Sequence, residues 1–170
     1  MSESIVVVVG NPQRASRTRS VAERVGAHLA RIAGTDVSVD TIDLAELGPA
    51  LLEWGSDQVR DAKASVLAAR ALVVASPTYK ASFTGLVKLF LDQFGHGELD
   101  GLPTVALMTG GSYHHSLAVN LHLTPVLAEI GASLPAPGLY IAGDDIDAPD
   151  ALIDAWMGEA GPPLTRALIR

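Results

Sequence analysis

Four short apolar runs and one alternating stretch divide the chain, and the segments between them follow a helical rhythm. Ile5-Val6-Val7-Val8-Val9 is apolar at every position, as a strand covered on both faces requires. Gly10-Asn11-Pro12 stops it. Val21, Val25, Ala27, Leu29 and Ile32 then fall on one face of a helix predicted over 20–32, which Gly34-Thr35 ends. Val37, Val39 and Ile42 alternate as a second strand, and 57–69 reads as a second helix. Ala71-Leu72-Val73-Val74-Ala75 is a third strand, stopped by Ser76-Pro77. Phe83, Leu86, Val87, Phe90, Leu91 and Phe94 mark an amphipathic helix over 82–94. A fourth strand spans 104–108 and ends at Thr109-Gly110-Gly111-Ser112. The spacing predicts a helix over 114–130, interrupted or tightened near Pro125, then a fifth strand over 139–142. The last segment, 150–169, is expected to hold at most two turns of helix before Gly161-Pro162-Pro163.

Strand and helix alternate throughout, with no repeat and no linker, so residues 1–170 are expected to form one α/β domain. Such alternation specifies a doubly wound parallel sheet of five strands with helices on both faces, because each right-handed crossover covers a face. Periodicity does not give the strand order, and 2-1-3-4-5 is one of the two common solutions.

Composition narrows the partners. The chain has 170 residues, 48% apolar, with mean hydropathy +0.29, enough to build a core. With 12 basic and 19 acidic residues the net charge is −7, which argues against nucleic acid and anionic membranes as partners. Cysteine is absent, which excludes disulfides, thiolate catalysis and Cys-ligated metals. Met1-Ser2-Glu3-Ser4 is not the basic start of a signal peptide, and no apolar run approaches the ~20 residues that span a bilayer. The expectation is a cytoplasmic protein.

Candidate chemistry gathers in three loops at strand ends. Asn11, Gln13, Arg14, Ser16, Arg17 and Thr18 follow the first strand, and three of the 12 basic residues fall within positions 14–19. Arginines at a helix N-terminus oppose the macrodipole, so with hydroxyls and free amides they point to an anion site. Pro77, Thr78, Tyr79 and Lys80 follow the third strand, where a fixed backbone presents a flat aromatic. Thr109, Gly110, Gly111 and Ser112 follow the fourth, where paired glycines allow close approach to a flat ligand. In the 2-1-3-4-5 order strands one, three and four are adjacent, so the loops share one crevice suited to a phosphorylated planar cofactor. The adjacent His114 and His115 point about 100° apart on a helix and have no i, i+4 partner, so no metal is expected. Asp144, Asp145, Asp147 and Asp150 lack the spacing of an EF-hand and read as a solvated turn.

The chain resembles the NAD(P)H-dependent FMN reductases, which are flavodoxin-like, and is most similar to their alkanesulfonate-pathway branch. The residues that carry the resemblance begin with Gly10-Asn11-Pro12 and Ser16-Arg17-Thr18. They continue through Ala75-Ser76-Pro77-Thr78-Tyr79-Lys80-Ala81-Ser82-Phe83-Thr84-Gly85 with Lys88 and Leu91-Asp92, then Thr109-Gly110-Gly111-Ser112, and finally the stretch from Leu117-Ala118-Val119 to Pro125-Val126-Leu127. It covers about 5–142. The resemblance implies a flavodoxin-like sheet of order 2-1-3-4-5, with Ser16 and Thr18 on the FMN phosphate. Pro77-Thr78-Tyr79 would frame the ribityl chain and ring, and Gly110-Gly111 would line the isoalloxazine. Of the two histidines, His115 is placed near the flavin, a subunit contact being the alternative. The family usually has Ser where Asn11 stands and Arg where Gln13 stands, and its alkanesulfonate branch carries an inserted aromatic where this chain has Leu121-His122.

The implied reaction is hydride transfer from NAD(P)H to FMN, with reduced FMN passed to a flavin-dependent monooxygenase. No catalytic acid, base or nucleophile is assigned, because the cofactor carries that chemistry. There is no GxGxxG, so nicotinamide docks over the exposed flavin rather than in a Rossmann site. The alternatives are an FMN-containing quinone, azo-dye or metal-ion reductase and, less favoured, a flavodoxin-type electron carrier. Apolar positions on more than one face of the third helix predict a homodimer or homotetramer.

Overall fold

In the computed structural model, which describes residues 3–169, β1 (Ser4–Val9) is enclosed from Ile5 onward because helices pack on both sides of it. Met1 and Ser2, part of the predicted non-signal start, lie outside the described residues, as does Arg170. β2 (Ser38–Asp43), β3 (Ala71–Pro77), β4 (Thr104–Gly110) and β5 (Leu139–Ala142) complete a five-stranded sheet of order β2-β1-β3-β4-β5. Every pairing is parallel. The register sets Val9 beside Ala75, Pro77 beside Thr109 and Gly110 beside Ala142, so all the carboxyl ends share one edge.

Alternate residues of β1 feed two cores. Ile5, Val7 and Val9 pack with Val21, Val25 and Leu29 of α1 (Arg17–Ala33) and with Ile153 and Leu164 of α6 (Asp150–Leu168). Val6 and Val8 face α3 (Asp57–Leu67), α4 (Gly85–Leu91) and α5 (Thr124–Glu129) through Val59, Val87, Phe90 and Leu127. That division is why β1 is apolar on both sides of the pleat.

Two local readings are corrected. First, α6 runs unbroken through Gly161-Pro162-Pro163 instead of stopping after two turns. Ile153, Ala160, Leu164 and Leu168 form one buried stripe against the sheet, and its burial outweighs the amide bonds that the prolines remove. Second, the 114–130 segment is interrupted near Pro125, as one of its two expectations had it, but by a loosening and not a tightening. A 3-10 turn at Tyr113–His115 is followed by a π-helix at Val119–Leu123, in which the Thr124 amide reaches back to the Val119 carbonyl. Pro125 has no N–H to continue the regular ladder, which favours the wider turn. That turn includes Leu121-His122, the place of the family's inserted aromatic. Between β2 and α3 lie α2 (Leu44–Leu47), started by Asp43 capping the Ala45 amide, and a 3-10 helix at Gly48–Leu52.

Candidate functional site

The first loop is held by its own side chains. Asn11 Oδ1 accepts the Gln13 amide at 2.9 Å, and Asn11 Nδ2 donates to Thr18 Oγ1 at 3.2 Å. Thr18 Oγ1 shares a 2.8 Å hydrogen bond with Thr109 Oγ1, so the first turn of α1 is tied to the end of β4. Ser16 is the buried N-cap of α1, its hydroxyl accepting the Arg19 amide at 3.2 Å. No acidic residue stands in the first turn, leaving the helix end positive. The three arginines differ. Arg19 bonds Glu23 at 2.8 Å and reaches Asp43 and Glu46. The exposed Arg17 meets Asp147 at 3.4 Å. Arg14 is exposed and makes no ion pair among the described residues.

The second and third loops are stitched across the strand ends. The Thr78 amide donates to the Thr109 carbonyl at 2.6 Å. Thr78 Oγ1 donates to the Tyr140 hydroxyl at 3.2 Å, and that hydroxyl donates to the Ser112 carbonyl at 3.3 Å. Gly110 lies directly over this phenol, and a Cβ there would overlap the Tyr140 hydroxyl. Tyr79 and Ser82 exchange backbone bonds of 2.9 and 3.1 Å around Lys80 (φ 51°) and Ala81 (φ 63°). Two successive residues in the left-handed region make a tight reversal that L side chains seldom adopt. It leaves Tyr79 53% exposed at the rim.

These loops enclose one crevice of about 410 Å³. Asn11, Gln13, Arg17 and Thr18 of the first loop line it, together with Pro77, Thr78, Tyr79, Thr109, Gly110 and Gly111 of the second and third. Arg14, Ser16, Lys80, Ser112 and His115 are not in that lining. Ser16 sits beneath it as the cap, and Ser112 borders an adjoining hollow of about 630 Å³ with Tyr113, His114 and Asp145. His115 is exposed in the 3-10 turn. Among the described residues no three His, Asp or Glu side chains gather as metal ligands.

Sequence reasoning missed one wall. Gly143, Asp144 and Ile146, just after β5, line the crevice, and Tyr140 supports it from below. The signal was available, since these residues follow a strand on the same carboxyl edge. Tyr113 closes this side by donating to Asp145 at 2.7 Å. Burial, then that bond, raises its pKa, so the phenol keeps its proton. The whole has a polar, cationic end with a helix N-terminus and a flat end walled by glycine and Tyr79. That donor set fits an elongated ligand with a phosphate at one end and a planar ring at the other.

The family model described as NADPH-dependent FMN reductase matches residues 4–146. The NADH-dependent FMN reductase SfnF of Pseudomonas putida is 35% identical over 149 residues, covering 84% of this chain and 79% of that protein. The FMN reductase (NADPH) of Escherichia coli (strain K12) is 30% identical over 139 residues, covering 80% and 71%. Among solved structures, an oxidoreductase from Corynebacterium diphtheriae superposes with TM-score 0.86 at 29% identity, covering 98% of this chain and 97% of that one. The apo form of an NADH:FMN oxidoreductase (EMOB) superposes with TM-score 0.76 at 33% identity, covering 96% and 94%.

Proposed function

The chain belongs to the NADPH-dependent FMN reductase family, and from that premise we propose that its crevice binds FMN and releases it, reduced, to a partner monooxygenase. It is an oxidoreductase that uses FMN and a nicotinamide dinucleotide. The observation that carries the finer reading is the meeting of three strand-end loops and one helix N-terminus at the point where strand order reverses.

In this reading the Thr18 hydroxyl and the first-turn amides of α1 take the phosphate. The Ser16 hydroxyl accepts the Arg19 amide and still has a proton to donate. Arg17 and Arg14 supply charge, and the exposed Arg17–Asp147 pair is weak enough for a phosphate to displace. Pro77, Thr78 and Tyr79 would frame the ribityl chain and ring, and Gly110 and Gly111 would line the ring. Bound FMN supplies the hydride-accepting chemistry, so the chain needs to orient the ring rather than to hold an acid or base. Tyr79 is the one aromatic in the lining, and its exposed position leaves a ring face open for nicotinamide and for flavin exit. The reading carries a cytoplasmic location with it, where both nucleotides are found.

We also propose a homodimer or homotetramer. Leu117 and Leu121 are 68% and 64% exposed, beside a groove lined by Leu91, Phe94, Pro125 and Val126 between α4 and α5.

The deciding experiment is a visible spectrum of the purified protein followed by NAD(P)H oxidation with added FMN, FAD or riboflavin. A colourless protein that turns over only with added flavin supports a supplier of reduced FMN. A yellow protein that reduces quinones or azo dyes without added flavin supports an enzyme that retains its FMN, and absence of any oxidation overturns the reductase reading.

A further inference from the structure

Asp43, the last residue of the edge strand β2, is only 4% exposed although it carries a carboxylate. One oxygen caps α2 through the Ala45 amide at 3.2 Å, an ordinary local role. The other leaves its own neighbourhood. Oδ2 accepts the Ala15 amide, 28 residues earlier in the chain, at 3.3 Å, and Arg19 Nη1 stands 3.5 Å from the same oxygen. Ala15 has φ 49°, in the left-handed region that alanine seldom adopts without help. It lies between Arg14 and Ser16, in the middle of the anion loop. The loop conformation is therefore held from outside by a buried side chain on another strand.

The charges explain the second partner. A lone carboxylate behind an anion loop would repel the ligand, more strongly for being buried. Arg19 is turned toward Asp43, Glu23 and Glu46, so it offsets that charge. Of the arginines at 14, 17 and 19, it is the one paired with more than one carboxylate, whereas Arg17 meets only the exposed Asp147.

We propose that Asp43 is a positioning residue of the phosphate loop: its carboxylate, offset by Arg19, fixes the Ala15 amide and so sets the preference for phosphorylated over unphosphorylated flavin. This rests on the reading of the first turn of α1 as the phosphate site. Neither residue touches the ligand in this account, and the ring walls do not depend on them.

The test is fluorescence titration of the full chain with FMN and with riboflavin. Asn in place of Asp43 keeps one acceptor for the α2 cap but sets an NH2 against the Ala15 amide and Arg19. Asp43→Asn should weaken FMN about tenfold and leave riboflavin within about twofold, the loss of roughly one charge-assisted contact. Arg19→Gln should also weaken FMN selectively. The double variant should lose no more than Asp43→Asn alone, because the charge that Arg19 offsets is gone. Equal weakening of both flavins by Asp43→Asn, or an unchanged FMN-to-riboflavin ratio, overturns the proposal and leaves Asp43 as a helix cap. Should Asp43→Asn not fold, the ratio measured for Arg19→Gln decides alone. The wild-type protein separates the two levels: if it binds both flavins equally, the phosphate-site reading fails. If its preference is strong and survives in every variant, only the role of Asp43 fails.

Discussion

Ser16 shows how one hydroxyl can serve two purposes and how the two are told apart. It accepts the Arg19 amide as the cap of α1, and in the proposed complex its proton goes to the phosphate. Ser16→Ala therefore removes a cap worth roughly 1 kcal/mol of stability and a hydrogen bond to a charged group worth roughly 1.5–3 kcal/mol of binding. Thermal unfolding should drop by a few degrees, and FMN should bind about 10- to 100-fold more weakly while riboflavin hardly changes. A lower melting temperature with both flavins weakened alike would make Ser16 a cap and nothing more. Residues of this kind are legible in a sequence because hydroxyls, arginines and a helix start lie within a few positions. Tyr140 is not, since its nearness to Gly110 exists only once β5 is laid beside β4.

At the scale of elements, the pattern of apolar positions located all five strands, because each is a buried run or a clean alternation. It failed where backbone chemistry and packing disagree. Pro162 and Pro163 read as a stop, yet α6 continues because Leu164 and Leu168 extend its buried stripe beyond them. Where α1 meets α6, His28 lies 3.8 Å from Asp154. Burial lowers its pKa from the ordinary 6.5, Arg31 acts in the same sense, and Asp154 and Asp150 only partly oppose them. The native state then favours neutral imidazole, so the unfolded chain binds the proton more readily. The His28 contribution is full above about 6.5 and is lost as the pH falls from there through the lowered native value. Melting temperatures at pH 7.5 and 5.5 should show a decrease that is smaller in His28→Gln. An identical decrease in both proteins would assign the acid sensitivity to other groups.

For the whole molecule, the carboxyl edge of the sheet supplies the crevice, while the face covered by α3, α4 and α5 presents the apolar surface that water does not favour. Strand order was beyond periodicity, which fixes the faces of a strand but not its neighbours. Only the resemblance carried by the residue blocks after β1, β3 and β4 implied it, and with that order the three loops meet. The same blocks say nothing about assembly, which depends on surface left over after folding. Two exposed leucines, 117 and 121, lie on consecutive turns beside the groove between α4 and α5. Burying a leucine side chain is worth roughly 1.5–3 kcal/mol, and a two-fold contact would use each residue twice, before the costs of association. Light scattering after size exclusion should give a multiple of 17.7 kDa for the natural chain at micromolar concentration. Leu121→Glu would place a charge in the contact and should shift the mass toward the monomer. Trp54, 81% exposed after the 3-10 helix that follows α2, is the competing surface. Should Trp54→Glu dissociate the assembly and Leu121→Glu leave it intact, the contact lies at the β2 end of this face instead. A natural chain of 17.7 kDa would remove the assembly proposal.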